Sequence, residues 1–186
     1  MNPLFSYLKF WRHSKNEHGV HSPFVFNLIT KCFYDRSKYS SYRQLSKNDS
    51  NSKFLIRLST YFKYDNCFVS KSIQAKFKQA LEIQHQTIVF NTIEDLKPQK
   101  NKISETPCLI FLDLNTIDKD STSDSFQICH KDTLILVPHI RETKSKFIHW
   151  NQLKSRPEVS VSIDTFYWGL LFFRTEQPKE HFTIRL

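Results

Sequence analysis

The chain has 186 residues, of which 39% are hydrophobic and 24% are charged, a composition typical of a globular domain rather than of a disordered segment. No stretch approaches the roughly 18 consecutive apolar residues of a membrane span, and no secretion signal is present, so we expect a cytoplasmic protein without a membrane partner. The net charge is +9, and residues 1–78 hold 14 Lys and Arg against four Asp and Glu, which indicates an anionic partner such as nucleic acid unless AT-rich coding alone supplied the lysines.

The first third of the chain predicts helices joined by a polar segment. Four apolar residues in 3–12 have the spacing of one helix face: Leu4, Tyr7, Leu8 and Trp11. Ser22 followed by Pro23 predicts a second helix, because a hydroxyl cap precedes a proline at the first helical position. Residues 36–53 are rich in Ser, Asn and Lys and predict a loop or linker, whereas residues 54–63 are again helical in pattern.

The rest of the chain alternates between strand-like and helix-like segments. Apolar runs predict strands at residues 67–70, 87–90, 108–114 and 133–140, and their continuous apolarity suits a parallel sheet covered on both faces. Helices are predicted at residues 71–84 and 144–155. Residues 159–168 and 169–174 predict an antiparallel hairpin at the end of the sheet, and the tail 181–186 suits the cover of a sheet edge.

These elements predict an α/β fold with three segments. Residues 1–35 form an N-terminal helical extension, residues 36–53 a polar linker, and residues 54–186 the α/β domain.

Cysteine and glycine usage limits the kinds of site. The four cysteines lie far apart without a C-x-x-C pair, which indicates reduced buried thiols rather than a zinc or redox motif. Gly19 and Gly169 are the only glycines. Folds that wrap a nucleotide usually place several glycines in one loop, and this chain has no such loop.

Two long segments carry a resemblance to a known family. They are YLKFWRHSKNEHGVHSPFVFNLITKCFYD near the start and RPEVSVSIDTFYWGLLFFRTEQPKEHFTIRL at the end. Both resemble a family of small bacterial class I S-adenosylmethionine-dependent methyltransferase-like proteins. The resemblance implies a Rossmann-like methyltransferase fold, in which a mostly parallel seven-stranded sheet ends in an antiparallel hairpin and two extra helices precede it. It also implies S-adenosylmethionine as the cofactor of active members.

The resemblance assigns cofactor contacts to positions where this chain differs from the family. An acidic residue and a glycine-rich turn normally follow the first strand; here Ser70, Lys71, Ser72 and Ile73 do. The hydroxyls of Ser70 and Ser72 would bind an anion at a helix start, or simply cap that helix. Asn91 stands near the position of the acid that binds the ribose hydroxyls, and an amide lacks the charge of a carboxylate.

The candidate catalytic residues follow two later strands. Asp113 stands where the family has an aspartate, and it either faces the ligand crevice or caps a loop. His139, after Pro138, stands where the family tends to carry paired acids, and it is a candidate base. Because Mg²⁺ prefers carboxylate and water oxygens, we expect no metal site. His18 and His21 fit a fixed turn at Gly19 better than a zinc site.

The residues and the resemblance leave three functions open. The first is a non-catalytic methyltransferase-like protein that acts in binding or scaffolding through its basic N-terminal half, without a cofactor. The second is an active methyltransferase that binds S-adenosylmethionine through an altered loop, with Asp113 and His139 as catalytic residues. The third is a decaying gene product without a selected role.

Overall fold

The fold is taken from a computed structural model, which describes residues 3–47, 49–69, 75–84, 89–92, 105–115, 126 and 129–186. Seven strands form one sheet: β1 (Asn66–Val69), β2 (Val89–Thr92), β3 (Leu109–Phe111), β4 (Leu134–Pro138), β5 (Val161–Asp164), β6 (Trp168–Phe172) and β7 (Glu180–Thr183). The longer helices are α1 (Pro3–His13), α2 (Pro23–Leu28, continued by a π-helical segment Ile29–Phe33), α3 (Ser50–Phe62), α4 (Ala75–Gln84) and α5 (Lys144–Ser155). The longest of these has 13 residues, too short for the ~20 that cross a bilayer.

The sheet is mostly parallel, which confirms the α/β class. Its strand order is β2-β1-β3-β4-β6-β5-β7. β1 pairs in parallel with both β2 and β3, and β3 pairs in parallel with β4. The residues of β3 and β4 are almost all buried, as the continuous apolarity of their sequences predicted for strands covered on both faces.

The hairpin at residues 159–174 is confirmed in part. β5 and β6 pair antiparallel, but β6 begins at Trp168 rather than Gly169, and the turn between them contains Phe166 at a φ of 74°. The hairpin also does not end the sheet. β6 lies between β4 and β5, and β7 pairs in parallel outside β5, so the tail covers an edge as predicted.

Alternate strand residues pack into two hydrophobic clusters on the two faces of the sheet. On one face, residues such as Phe111 and Leu136 pack with α2, α3 and α4. On the other, residues such as Ile110 and Ile135 pack with Trp150 of α5. The period of two along each strand sends neighbouring side chains to opposite faces. The helices therefore cover both faces and leave the strand ends as the exposed edge.

Local capping explains where the N-terminal helices begin. The Ser22 hydroxyl accepts a hydrogen bond from the Val25 amide at 3.3 Å, which confirms the predicted start of α2. The predicted loop at residues 36–53 contains a 3₁₀ helix, Ser40–Gln44, and the first turn of α3. Asp49 caps that turn by accepting from the Ser52 amide at 2.9 Å. The polar first turn has no apolar periodicity, so the sequence pattern placed its start at residue 54.

Candidate functional site

The strand order predicts a ligand crevice at the carboxyl ends of the strands. From β1 the chain adds β2 on one side and then crosses to β3 on the other, so the connections diverge between β1 and β3. Ligands of open α/β sheets bind outside the carboxyl ends of the strands at such a point. Residues that follow β1 and β3 flank this point, but residues 70–74 after β1 lie outside the described residues. The remaining candidates follow β3 and its parallel neighbour β4.

Asp113 follows β3 and is held by two contacts. Its Oδ1 accepts a hydrogen bond from the Asn115 amide at 2.9 Å, and it also lies 3.9 Å from Nζ of Lys146. The first contact fits the predicted alternative of a loop aspartate, because it closes an Asx turn. The second contact places a positive charge beside the carboxylate. The Asp113 carboxylate is thus fixed by a backbone hydrogen bond and by an ion pair at the end of β3.

Lys146 lies in the first turn of α5 and is buried. Its Nζ donates to Oε2 of Glu142 at 2.6 Å, and only 7% of its side chain is exposed. The Lys146 ammonium lowers the pKa of Glu142, chiefly through that hydrogen bond. Thr143 fixes the start of α5, since its hydroxyl accepts from the Lys146 amide at 3.1 Å. One ammonium therefore serves both Asp113 and Glu142.

His139 follows β4 directly and has an unusual backbone. Its φ is 56°, in the left-handed region that residues other than glycine seldom adopt. Its Nε2 lies 2.6 Å from the phenol oxygen of Tyr167, and the two ring centroids are 4.3 Å apart. Burial, followed by the charges of Glu142 and Asp49, raises the pKa of Tyr167 to about 12. The phenol therefore stays protonated at neutral pH and can donate to Nε2.

Of the predicted site residues that the structure describes, two form a group and one lies apart. Asp113 and His139 follow neighbouring parallel strands, and both lie within electrostatic reach of Glu142. Asn91 is half-buried in β2, opposite Phe68 of β1, and β2 lies three strand positions from β4. At about 4.8 Å per strand the separation is roughly 14 Å, so Asn91 does not join the group. Ser70 and Ser72 lie outside the described residues.

Three residues of the group were not predicted: Lys146, Glu142 and Tyr167. The four-residue spacing of Glu142 and Lys146 is the usual signal of a helical ion pair and was available in the sequence. Tyr167 had no such signal, because its contact with His139 depends on the pairing of β6 with β4. Within the described ranges, no three His, Cys, Asp or Glu side chains are arranged to hold a metal ion.

A separate cavity of about 260 Å³ lies along β7, away from the crevice. Among its lining residues are His13, Lys15, His21 and His181. Gly19 also lines it, and neither glycine of the chain has a positive φ, so the bend expected at Gly19 does not use the left-handed region. A Cβ atom at Gly19 would instead lie 3.1 Å from Cδ of Lys15.

The chain matches no protein-family model, and no curated protein has a significant similarity to it. The case for a function therefore depends on the residues and their geometry.

Proposed function

We propose that this protein has a divergent class I methyltransferase fold, transfers no methyl group, and acts as a binding or scaffolding protein for an anionic partner. The strand order supports the fold, since it combines a switch point between β1 and β3 with an antiparallel β6 beside β4. The resemblance of the two ends of the sequence supports the family. Both statements concern a fold, and fold alone does not confer activity.

One observation supports the proposed loss of activity: neither glycine of the chain lies in the segment that follows β1. Gly19 ends the short 3₁₀ helix Glu17–Gly19, and Gly169 lies inside β6 against Trp150. The segment after β1 reads Ser-Lys-Ser-Ile at residues 70–73, so every residue carries a side chain. In active relatives the cofactor lies against bare backbone at this point. A segment in which every residue carries a Cβ atom does not offer that bare backbone.

The two candidate catalytic side chains also have partners that compete with catalysis. Nε2 of His139 is engaged by the Tyr167 phenol, so it is not available to take a proton from a substrate. Asp113 lies 3.9 Å from the Lys146 ammonium, so its carboxylate already has an ion-pair partner within the fold. The crevice thus holds a stable polar network rather than an exposed acid–base pair.

A specific observation favours the alternative, an active methyltransferase with an altered loop. His139 adopts a left-handed backbone conformation, which costs a non-glycine residue roughly 1–2 kcal/mol. Strained residues of this kind cluster at functional sites. In this second function Asp113 and His139 would orient the substrate, with Ser70, Ser72 and Asn91 near the cofactor, and methyl transfer would proceed by proximity and orientation.

The basic N-terminal half supports the binding role. Nine of its Lys and Arg side chains are exposed, and none forms an ion pair within the described part of the chain: Lys9, Arg12, Lys15, Lys31, Arg36, Lys38, Arg43, Lys47 and Lys63. Unpaired cations favour anionic partners, and nucleic acid is the one that the sequence suggests first.

Two experiments test the two parts of this function. Titration with S-adenosylhomocysteine or S-adenosylmethionine tests the loss of cofactor binding, because micromolar affinity would favour the active methyltransferase. Binding to an anionic partner should weaken by orders of magnitude between about 50 and 200 mM salt as counterions compete. Affinity that stays flat over that range contradicts an electrostatic partner.

A further inference from the structure

The first helix presents its apolar stripe to solvent rather than to the core. Large fractions of four apolar side chains of α1 are exposed: 68% of Leu4, 70% of Phe5, 56% of Leu8 and 53% of Trp11. At 3.6 residues per turn these four lie within an arc of about 120°. Single exposed apolar residues are ordinary, but a contiguous group marks an interaction site.

The rest of α1 is fixed to the protein, so this orientation is built into the fold. Phe10 is 6% exposed and projects from nearly the opposite side of the helix. Its ring packs against Phe166 with a centroid distance of 5.3 Å, and Tyr7 packs edge-on against the same ring at 5.1 Å. The Lys15 amide then donates to the Thr183 carbonyl of β7 at 2.7 Å. These contacts hold the helix with its apolar arc outward.

The charges within and beside the arc select an anionic occupant. Residues 1–16 contain Lys9, Arg12 and Lys15 and no acid, and all three cations are exposed. The Arg185 guanidinium lies 5.2 Å from the Trp11 ring and adds a fourth positive charge. A second copy of the chain would bring like charges together along the same helix. A surface of anionic headgroups is attracted instead.

The apolar side chains distinguish a lipid surface from a nucleic acid. Bases stack on aromatic faces and phosphates bind cations, but Leu4 and Leu8 offer neither contact. Leu, Phe and Trp together with Lys and Arg are the composition of helices that lie in the interface of a bilayer. We infer that α1 is an interfacial helix that docks this protein on an anionic phospholipid surface.

This inference rests on the binding part of the proposed function and names its partner. The expectation of no membrane partner came from the lack of a spanning segment, and among the described residues no helix is long and apolar enough to span a membrane. A helix that lies in the headgroup region needs no spanning length, only an apolar face and a cationic border.

Trp11 allows docking to be observed directly in the full chain. Of the three tryptophans, Trp150 and Trp168 are both fully buried, so a change in the solvent exposure of tryptophan must come from Trp11. Vesicles of phosphatidylcholine with about one third phosphatidylglycerol should shift the fluorescence emission of Trp11 to shorter wavelength. Vesicles of phosphatidylcholine alone should not shift it. In the Trp11→Phe variant the shift should vanish while co-sedimentation with the anionic vesicles persists.

Substitutions on the arc and a matched control complete the test. Phe5→Ser and Leu8→Ser should each lower the vesicle partition coefficient about tenfold, because one large apolar side chain no longer enters the bilayer. Ile148→Ser is the control, since Ile148 is an exposed apolar residue on α5, and its partition should not change. Unchanged far-UV circular dichroism of all three variants establishes that the fold is intact.

Several outcomes would overturn this inference. Equal partition of wild-type protein and the arc variants, or no partition at all, contradicts docking through α1. Salt-dependent binding to single-stranded RNA that Phe5→Ser and Leu8→Ser abolish would assign the arc to nucleic acid, and a dimer that the same variants dissociate would assign it to a second copy. In the RNA case the proposed function stands while the lipid surface is excluded.

Discussion

The phenol oxygen of Tyr167 and Nε2 of His139 lie 2.6 Å apart, and this contact joins the turn before β6 to the end of β4 at the centre of the candidate site. It engages one ring nitrogen of His139, the residue that we predicted as a base from the sequence. It also supports a residue whose φ of 56° would otherwise be unfavourable. We therefore assign the contact a structural role, which measurements of stability can test.

Tyr167→Phe should lower the free energy of unfolding by about 1 kcal/mol, because it removes one partly buried hydrogen bond and leaves Nε2 of His139 without that donor. Denaturant titration of the two proteins measures the difference. Tyr61→Phe is the matched control, since the Tyr61 hydroxyl has no hydrogen-bond partner in the described part of the chain, and its change should stay within about 0.5 kcal/mol. Equal effects of the two substitutions would argue against a structural role for the contact.

Gly169→Ala should destabilise the protein by about 1–3 kcal/mol through overpacking. A Cβ atom at this position would lie 2.5 Å from Cζ3 of the fully buried Trp150 ring. The Trp150→Leu substitution makes room for the Cβ atom. The double variant should therefore lose less unfolding free energy than the sum of the losses in the two single variants. Thermal or denaturant unfolding of the four proteins gives the coupling. Strict additivity would show that the ring is not the obstacle.

Alkaline pH should destabilise the protein because its buried thiols resist ionisation. Burial raises the pKa of Cys32 to about 12 and that of Cys108 to about 11, and it also raises the pKa of the Cys67 thiol. Thiols of the unfolded chain ionise near pH 9, so above that pH the unfolded state binds fewer protons than the folded one. Stability should be constant below pH 9 with respect to these groups and should fall as the pH rises towards 11.

Denaturation midpoints at several pH values between 8 and 11 measure this fall. In the Cys32→Ala variant the dependence on pH should be shallower, whatever the variant loses at neutral pH. A thiol reagent offers a second readout, because Cys32, Cys67 and Cys108 should react only after unfolding. Fast reaction of all of them in the native protein would contradict their burial.

The sequence predicted the parts of the fold that depend on local pattern. α5 was predicted with its exact bounds and β4 within two residues, since a capped polar helix and a long apolar run are both visible in the residues themselves. β2 was displaced by two residues and α3 by four, because polar residues form their ends. The turn before β6 depends on Phe166 at a positive φ, and no glycine marks it.

The sequence also placed the two candidate catalytic side chains after buried strands, but it did not show their contacts. Asp113 and His139 were recognisable because each follows a buried strand, and the carboxyl ends of parallel strands meet at one edge. Their partners were not, since Lys146 and Tyr167 reach them from elements that are distant in sequence. Because of those partners, we interpret the two side chains as members of a hydrogen-bonded and ion-paired network rather than as an exposed acid and base.

The proposed function predicts that the chain does not bind the methyltransferase cofactor, and titration calorimetry with S-adenosylhomocysteine tests this. The Asp113→Ala variant and an active methyltransferase in the same buffer serve as negative and positive controls. We expect no saturable heat with the wild-type chain, which corresponds to an affinity weaker than about 1 mM, whereas the active enzyme releases heat. Saturable binding in the micromolar range that Asp113→Ala removes would contradict this expectation and would identify the crevice as a working cofactor site.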